Sequence, residues 1–327
     1  MDVIQKIGVF TSGGDAPGMN ACLRAVVRKS VSIGLDVVGI RRGYQGMIEG
    51  DFVDMDSKSV SNIVQKGGTI LKSARSKAFR TPEGRKKAAD QLKAAGIQGL
   101  VAIGGDGTLA GASVFYDEYQ IPLVGCPGTI DNDLFGTDET IGFDTALNTA
   151  IENIDKIRDT ADAHDRLFLV EVMGRDAGFI ALNCGIGGGA EMVMIPETLT
   201  DLDEVKNHIS SLMSSQHRSS IVVVAEGDEN GGATHIASVL RADSAFENID
   251  LRVCILGHTQ RGGAPSARDR VLASRLGVAA VDALMAGHTN VMVGIINGEI
   301  KLTASKNVWS RKKSISYELL SLIQMLG

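Results

Sequence analysis

Residues Ile7–Asn20 read IGVFTSGGDAPGMN. Ile7–Phe10 is an apolar run without polar alternation, the pattern of a strand buried on both faces of a parallel sheet. Paired glycines follow, where the backbone must turn sharply or come close to something. From Met19 to about Val31 the period becomes helical. Cys22, Ala25 and Val26 face inward there, with Arg24 and Arg28 one turn apart outside. Strand, glycine loop and helix in this order form the repeating unit of α/β folds.

The unit recurs along the chain. Leu35–Ile40 reads as a second strand, and Gly99–Ile103 as a strand feeding GGDGT and a helix from about Leu109. Ile121–Cys126 feeds PGTIDNDLFGTD, and Leu167–Val172 feeds MGRDAG and a helix to about Asn183. Ser220–Ala225 feeds EGDENGGA, and Val253–Leu256 feeds GHTQRGGAPSARD and a long helix through Leu284. This alternation predicts an α/β fold with mainly parallel sheets flanked by helices. The length of 327 residues matches two domains of roughly 150 residues each. The helical stretch Thr140–Thr160 is expected to cross between two sheets. Ligands of such sheets bind outside the carboxyl ends of the strands, where these polar loops lie.

Composition narrows the function. There are 33 basic and 39 acidic side chains, a formal charge of −6, whereas neutralising nucleic-acid phosphates needs a basic footprint. One Trp, four Tyr and nine Phe are too few for base-stacking platforms. No aliphatic run approaches the roughly 18 residues of a membrane span, and MDVIQKIGVF lacks a signal-peptide layout. Cys22, Cys126, Cys184 and Cys254 have no metal-ligand spacing and read as reduced, packed thiols, which suits the cytoplasm. Glycine is the outlier, 39 residues against the average of about 7%. Its clusters include SGGD, KGGT, IGGDG, GIGGGA, NGGA and RGGA.

Four groups of residues carry chemistry. In Thr11–Asn20 the glycines let backbone N–H groups approach an anion at a helix start, where the dipole favours negative charge. Gly104–Thr108 (GGDGT) has the same context, and Asp106 amid its glycines suits a hard cation such as Mg²⁺. Pro127–Asp133 (PGTIDND) crowds a Thr, two carboxylates and an Asn behind a buried strand, more polarity than a turn requires. Asp131 is the candidate general base of that loop. The last group is cationic: Arg75, Arg166, Arg175, Arg252, and His258 with Arg261. Arg binds phosphate bidentately, so several of them beside glycines or strand ends point to a ligand with two separated phosphates. GxxxxGK[ST], GxSxG, HExxH and GxGxxG are all absent. What remains is phosphoryl transfer from a nucleotide to a hydroxyl, which needs positioning, a cation, Arg clamps and a base.

SGGDAPGMN, GGDGT, PGTIDND, MGRDAG, the AEG of Ala225–Gly227 and LGHTQRGG occur in this order. Together they resemble the bacterial ATP-dependent 6-phosphofructokinases over essentially the whole chain. The resemblance implies an ATP-binding domain of residues 1–142 plus 260–310 and a sugar-phosphate-binding domain of 143–259 plus 311–327. It implies a homotetramer with sites shared between subunits. The implied reaction moves the γ-phosphoryl group of MgATP to the 1-hydroxyl of fructose 6-phosphate. On the matching residues, Asp131 would take the hydroxyl proton. Gly14, Tyr44, Arg75, Ser76, Gly105, Asp106, Gly107 and Thr108 would line the ATP site, with Asp106 on Mg²⁺. Thr129 and Arg175, with Arg75, would face the transferring group. Glu226 would accept from sugar hydroxyls beside Met173 and Gly174. His258 and Arg261 would hold the 6-phosphate, and Arg166 and Arg252 would join them from the neighbouring subunit. Ile130, Thr259 and Gln260 complete the implied substrate residues.

The alternatives are a different acceptor, such as tagatose 6-phosphate or sedoheptulose 7-phosphate, pyrophosphate as donor, or a non-catalytic nucleotide sensor. Asp106, Thr129, Asp131 and Arg175 are all present, which argues against a sensor. The pyrophosphate users of the superfamily read GGDD and PKTIDND where this chain has Gly107 and Gly128. An Asp at 107 would repel the α-phosphate of ATP, so the two glycines point to ATP. For an effector pocket binding ADP or phosphoenolpyruvate, the resemblance covers Arg24, Arg28, Arg158, Gly189 and Glu191. Ser57, Ser215 and His217 replace cationic residues of that pattern, so control is either lost or changed in ligand, or weakened and pH-dependent through His217.

Overall fold

The computed structural model describes residues 4–163, 166–214 and 220–326. Its strands, in chain order, are β1 (Lys6–Thr11), β2 (Asp36–Ile40), β3 (Phe52–Met55), β4 (Gly99–Gly104), β5 (Leu123–Pro127), β6 (Leu167–Val172), β7 (Met192–Met194), β8 (Ser220–Ala225), β9 (Leu251–Ile255), β10 (Val291–Ile296) and β11 (Glu299–Ala304). Its helices are α1 (Met19–Ser32), α2 (Gly43–Glu49), α3 (Pro82–Ala94), α4 (Asp106–Tyr119), α5 (Phe143–Asp162), α6 (Phe179–Gly187), α7 (Leu202–Ser214), α8 (Ala233–Arg241), α9 (Ala267–Met285), α10 (Ser305–Ser310) and α11 (Tyr317–Leu326). They group into two compact units. One comprises Met1–Ile130, Leu134–Thr145 and Arg261–Lys313, the other Asp131–Asp133, Ala146–Gln260 and Ser314–Gly327.

The first unit holds a seven-stranded sheet of order β11-β10-β5-β4-β1-β2-β3. The five inner strands pair in parallel, and β3 and β11 close the edges antiparallel. Every residue of β4 is buried, as a central parallel strand requires. On one face Phe10, Ile40, Met47, Phe79, Leu92, Leu100 and Phe115 form a continuous core. Each such side chain gains about 1.5–3 kcal/mol on burial, which fixes the strands whose ends carry the loops. α4 begins at Asp106, three residues before the sequence suggests. Gly105 is extended there, and its carbonyl accepts from Thr108 N and Leu109 N, both at 3.1 Å. Of GGDGT, Gly104 ends β4, Gly105 caps the helix and Asp106–Thr108 form its first turn, with Asp106 at its positive end.

The second unit holds a four-stranded sheet of order β7-β8-β6-β9, parallel throughout. Leu167, Leu169, Val205, Ile209, Val222, Val224, Ile236 and Phe246 are its core. α5 links β5 of the first sheet to β6 of the second, and the chain changes unit inside it, after Thr145. The four cysteines are free thiols. Contact with Cys126, added to burial, pushes the Cys22 thiol up, and burial pushes Cys184 up to about 12. No described helix is long and apolar enough to cross a membrane.

Candidate active site

In the first unit β1 and β4 are neighbours, and the connections that follow them run to opposite sides. That is a topological switch point, where a crevice opens at the strands' carboxyl ends. Two backbone bonds draw the loops together there: Ser12 N donates to Ile103 O and Gly128 N to Gly104 O, each at 3.0 Å. A Cβ at Gly104 would lie 2.4 Å from Thr108 Oγ1 and 2.6 Å from Ser12 O, so only glycine fits. Gly13 adopts φ +86° beside the same threonine. Thr108 is buried, yet its hydroxyl has no hydrogen-bond partner. A buried, unpaired hydroxyl in a cradle of glycines at a helix start is suited to an anionic oxygen. Asp106 stands in the same turn. Among the described residues no group of three or more His, Cys, Asp or Glu is placed to hold a metal. A single carboxylate beside a phosphate cradle is how Mg²⁺ is commonly held, with phosphates and waters completing its shell, so these residues fit that ion.

A Cβ at Gly107 would meet nothing within 4 Å, so the space in front of this residue is open. At Gly128 a Cβ would lie 3.1 Å from Ile103 and Met19 and 3.2 Å from Gly104 N, so a side chain there needs its neighbours to give way. Thr129 sits against Gly105, and its carbonyl accepts from Thr140 Oγ1 at 2.6 Å. Tyr44 lies behind the cradle: its hydroxyl donates to Thr108 O at 2.6 Å, and its ring stacks on Phe79 at 3.9 Å. Burial pushes its phenol well up, so it remains a donor. Ser76 Oγ donates to Gln45 Oε1 at 2.7 Å, and Arg75 beside it is exposed. Arg261 lies over the first loop. Its Nη1 donates to Asp15 O at 3.3 Å, and a Cβ at Gly14 would come within 2.7 Å of the same nitrogen.

In the second unit the loops after β6, β8 and β9 interlock. Glu226 Oε1 accepts from Arg175 N at 2.7 Å and from Gly174 N at 3.2 Å. Those residues have φ +52° and +150°, and a Cβ at Gly227 would collide with Arg175 O at 1.9 Å. Gln260 is fully buried, and its Oε1 accepts from Met173 N at 2.9 Å. Thr259 Oγ1 donates to Leu256 O at 2.7 Å, and His258 is exposed. Ile130 and Asp131 are buried, and Asn132 at φ +55° takes the left-handed conformation that Asn tolerates. Part of that loop's polarity therefore serves the backbone.

Arg166 and Arg252 share one carboxylate. Arg166 Nε lies 2.8 Å from Asp250 Oδ2, and Arg252 Nε 2.7 Å from Asp250 Oδ1. Arg166 beside it, then Arg252, holds the Asp250 carboxyl below its usual range. These arginines stand at the amino ends of β6 and β9, while Met173, Arg175, Glu226 and His258 stand at the carboxyl ends of their strands. β6 has six residues, so at about 3.3 Å per residue roughly 15–20 Å separates the two groups.

Of the expected effector residues, Arg158, Gly189 and Glu191 come together. Arg158 Nη1 donates to Glu191 Oε1 at 3.1 Å and its Nη2 to Gly188 O at 2.9 Å, with a further bond to Gly189 O. Arg24 is half-buried and Arg28 exposed on α1, and Ser57 is exposed after β3. Ser215 and His217 lie outside the described residues. The sequence reading missed Asp250, Thr140 and the buried Asp269, which accepts from Gly142 N and Thr145 N, both at 2.8 Å. Asp250, two residues before Arg252, carried a weak charge-pair signal; the others bond across distances no local pattern reveals.

Glycine cradles at a switch point, an acid at a helix start and a set of arginines define an α/β phosphate-handling protein. The chain belongs to the phosphofructokinase family, whose model matches residues 6–284. It is 57% identical to an ATP-dependent 6-phosphofructokinase of Cytophaga hutchinsonii, covering 99% of this chain and 98% of that one. It is 56% identical to ATP-dependent 6-phosphofructokinase 1 of Thermus thermophilus, covering 99% of this chain and all (100%) of the other. Among solved structures it resembles phosphofructokinase from Saccharomyces cerevisiae, with a TM-score of 0.85 and 36% identity. That match covers 98% of this chain but spans only 46% of the yeast chain. A pyrophosphate-dependent phosphofructokinase from Marinobacter aquaeolei shares the fold, with a TM-score of 0.84 at 22% identity over 99% of this chain and 91% of that one.

Proposed function

We infer that the chain transfers the γ-phosphoryl group of MgATP to the 1-hydroxyl of fructose 6-phosphate, giving fructose 1,6-bisphosphate and ADP. The observation that carries the choice of donor is the open space in front of Gly107, inside an otherwise complete glycine cradle. A nucleotide's α-phosphate needs that space, and a carboxylate there would deny it. The acceptor is the one named by the full-length relatives.

The first unit is the ATP-binding part, through Gly14, Arg75, Ser76 and Gly105–Thr108, with Tyr44 holding the helix start from behind. Asp106 and the phosphates would hold Mg²⁺, whose charge offsets that of the phosphate oxygens. Asp131 takes the proton of the 1-hydroxyl as its oxygen bonds to the γ-phosphorus. The bond from that phosphorus to the β–γ bridging oxygen breaks, and ADP leaves with the electron pair. Thr129, Arg175 and Arg75 stabilise the charge on the transferring group. The second unit supplies most of the sugar-phosphate residues: Glu226 accepts from hydroxyls beside Met173 and Gly174, and His258 holds the 6-phosphate together with Arg261, the first residue of the first unit's last segment.

Arg166 and Arg252 act on a neighbouring copy's site in a homotetramer. Their place at the amino ends of the strands supports this, since the remaining sugar-site residues of the same chain stand at the far ends. The Arg158–Glu191 cluster belongs to an effector pocket for ADP or phosphoenolpyruvate. The free thiols suit a reducing compartment, and the cytoplasm is the proposed location. The test is a coupled assay of ADP release with MgATP and fructose 6-phosphate, tagatose 6-phosphate or sedoheptulose 7-phosphate. Fructose 6-phosphate should give the highest kcat/KM, and preference for another acceptor would refute the assignment.

A further inference from the structure

The glycine pair of KGGT (66–69) takes no part in the chemistry above, yet its loop is held with unusual thoroughness. Asn20, second residue of α1, is 1% exposed. Its Nδ2 donates to Lys66 O at 3.1 Å and to Gly67 O at 3.2 Å, and its Oδ1 accepts from Ile70 N at 2.8 Å. One buried amide thus spends both donor hydrogens and its acceptor on a single loop. Thr11 Oγ1, at the end of β1, donates to Lys72 O at 2.9 Å and lies 2.9 Å from Thr69 Oγ1, so Thr69 supplies the proton of that pair. Arg42 N donates to Leu71 O at 2.8 Å. Arg75 follows three residues after Lys72, and Ser76 is tied to Gln45. Arg75 is therefore carried on a short span with both ends anchored.

The same loop supports the segment that carries Arg261. A Cβ at Gly67 would lie 2.2 Å from Gly263 O, so the two glycine loops touch backbone to backbone. Two residues before Gly263, Arg261 reaches Asp15 O across Gly14.

We propose that Asn20 is the positioning residue for both arginines: through one loop it sets Arg75, and through Gly67 and Gly263 it sets the backbone of Arg261. It acts through them and touches no substrate. An amide is required here. Asp would turn both donors into acceptors aimed at carbonyl oxygens, and Ala would leave two carbonyls and one N–H without partners. The proposal rests on the reading of Arg75 and Arg261 as phosphate-binding groups.

The test uses Asn20→Ala and Asn20→Asp in the full chain, alone and combined with Arg75→Ala or Arg261→Ala. Folding is checked by circular dichroism. Misplacement by about 1 Å can cost on the order of 10²-fold, so kcat/KM should fall roughly 10–100-fold for ATP and fructose 6-phosphate alike. The further loss should shrink to under about 3-fold for ATP in the Arg75→Ala background and for fructose 6-phosphate in the Arg261→Ala background, whereas a merely structural role would add in full for both substrates. Amide exchange, followed without substrates, should accelerate in residues 66–76 and 261–265. Equal losses in every background, or wild-type exchange in 261–265, would overturn the proposal. If the Asn20 variants do not fold, Gly67→Ala presses on Gly263 without altering Asn20, and it should weaken fructose 6-phosphate use and loosen 261–265. Wild-type exchange there would again overturn the proposal. An inactive wild type would refute the phosphofructokinase reading, while the exchange data would still judge the anchoring.

Discussion

The two units place their functional loops at the same end of parallel strands but shape them with different materials. In the first, the loops are shaped by missing side chains: Gly104 has no room for a Cβ between Thr108 and Ser12. In the second, they are shaped by particular acceptors: Glu226 gathers the amides of Gly174 and Arg175, and Gln260 takes that of Met173. A backbone cradle fails when anything is added, whereas a side-chain clasp fails when an acceptor or a charge is removed. Additions should therefore be most damaging in the first unit and deletions in the second.

The largest effect should come from the one group whose role is chemical. Asp131→Asn keeps the size of a buried side chain and removes the base, so kcat should fall about 10²–10⁴-fold with little change in substrate KM. Near-wild-type kcat in a steady-state assay would remove Asp131 from the mechanism. Next is an addition to the first unit. Gly107→Asp fits sterically, since nothing lies within 4 Å, so its effect is electrostatic. Repulsion of about 1–4 kcal/mol corresponds to roughly 5–1000-fold weaker ATP use, with fructose 6-phosphate KM and Tm almost unchanged. Equal damage to both substrates would show that the cradle and the clasp are not separable.

Deletions of the arginines proposed to bind the sugar phosphate come third. Arg252→Ala or Arg261→Ala removes a charge-assisted bond of about 1.5–3 kcal/mol, or roughly 10–150-fold in kcat/KM for the sugar phosphate, with ATP binding spared. Arg261 sharpens the comparison, because it also lies against Gly14 of the first loop. A loss in ATP use with Arg261→Ala and none with Arg252→Ala would mark it as serving both loops.

Much of this arrangement was legible in the sequence, because buried parallel strands are short apolar runs and functional loops follow them. Leu167–Val172 and Ser220–Ala225 are strands over those residues. The edge strands were not legible. Phe52–Met55 is mostly part-exposed, and Glu299–Ala304 alternates weakly, so neither shows a clear apolar face. Asp106 looked like a loop residue because glycines flank it, yet the extended Gly105 lets the helix start there. The change of unit after Thr145 falls inside α5, where helical periodicity continues without a mark. The Arg166–Asp250–Arg252 cluster depends on β6 and β9 being neighbours, which only the sheet order provides.

The smallest predicted effect is on stability alone. Asp228 is buried, with Oδ1 accepting from Asn230 N at 3.0 Å and Oδ2 without a hydrogen bond. Burial raises its carboxyl above the usual range. The folded state therefore favours the protonated form. The associated stability is fully present below the unfolded value of about 3.9 and is lost as pH rises through the folded value. Asp228→Asn keeps the acceptor for Asn230 and cannot ionise. It should raise Tm at pH 8, with the gain shrinking as pH falls and vanishing below the unfolded value. An unchanged Tm at pH 8 would mean that the carboxylate's charge costs nothing in the folded loop.

The central claim, that the open cradle around Gly107 selects ATP as the donor, is tested most directly by the rate of fructose 1,6-bisphosphate formation from fructose 6-phosphate with either MgATP or magnesium pyrophosphate. Turnover is expected with ATP and none above background with pyrophosphate. Turnover with pyrophosphate, or none with ATP, would contradict it.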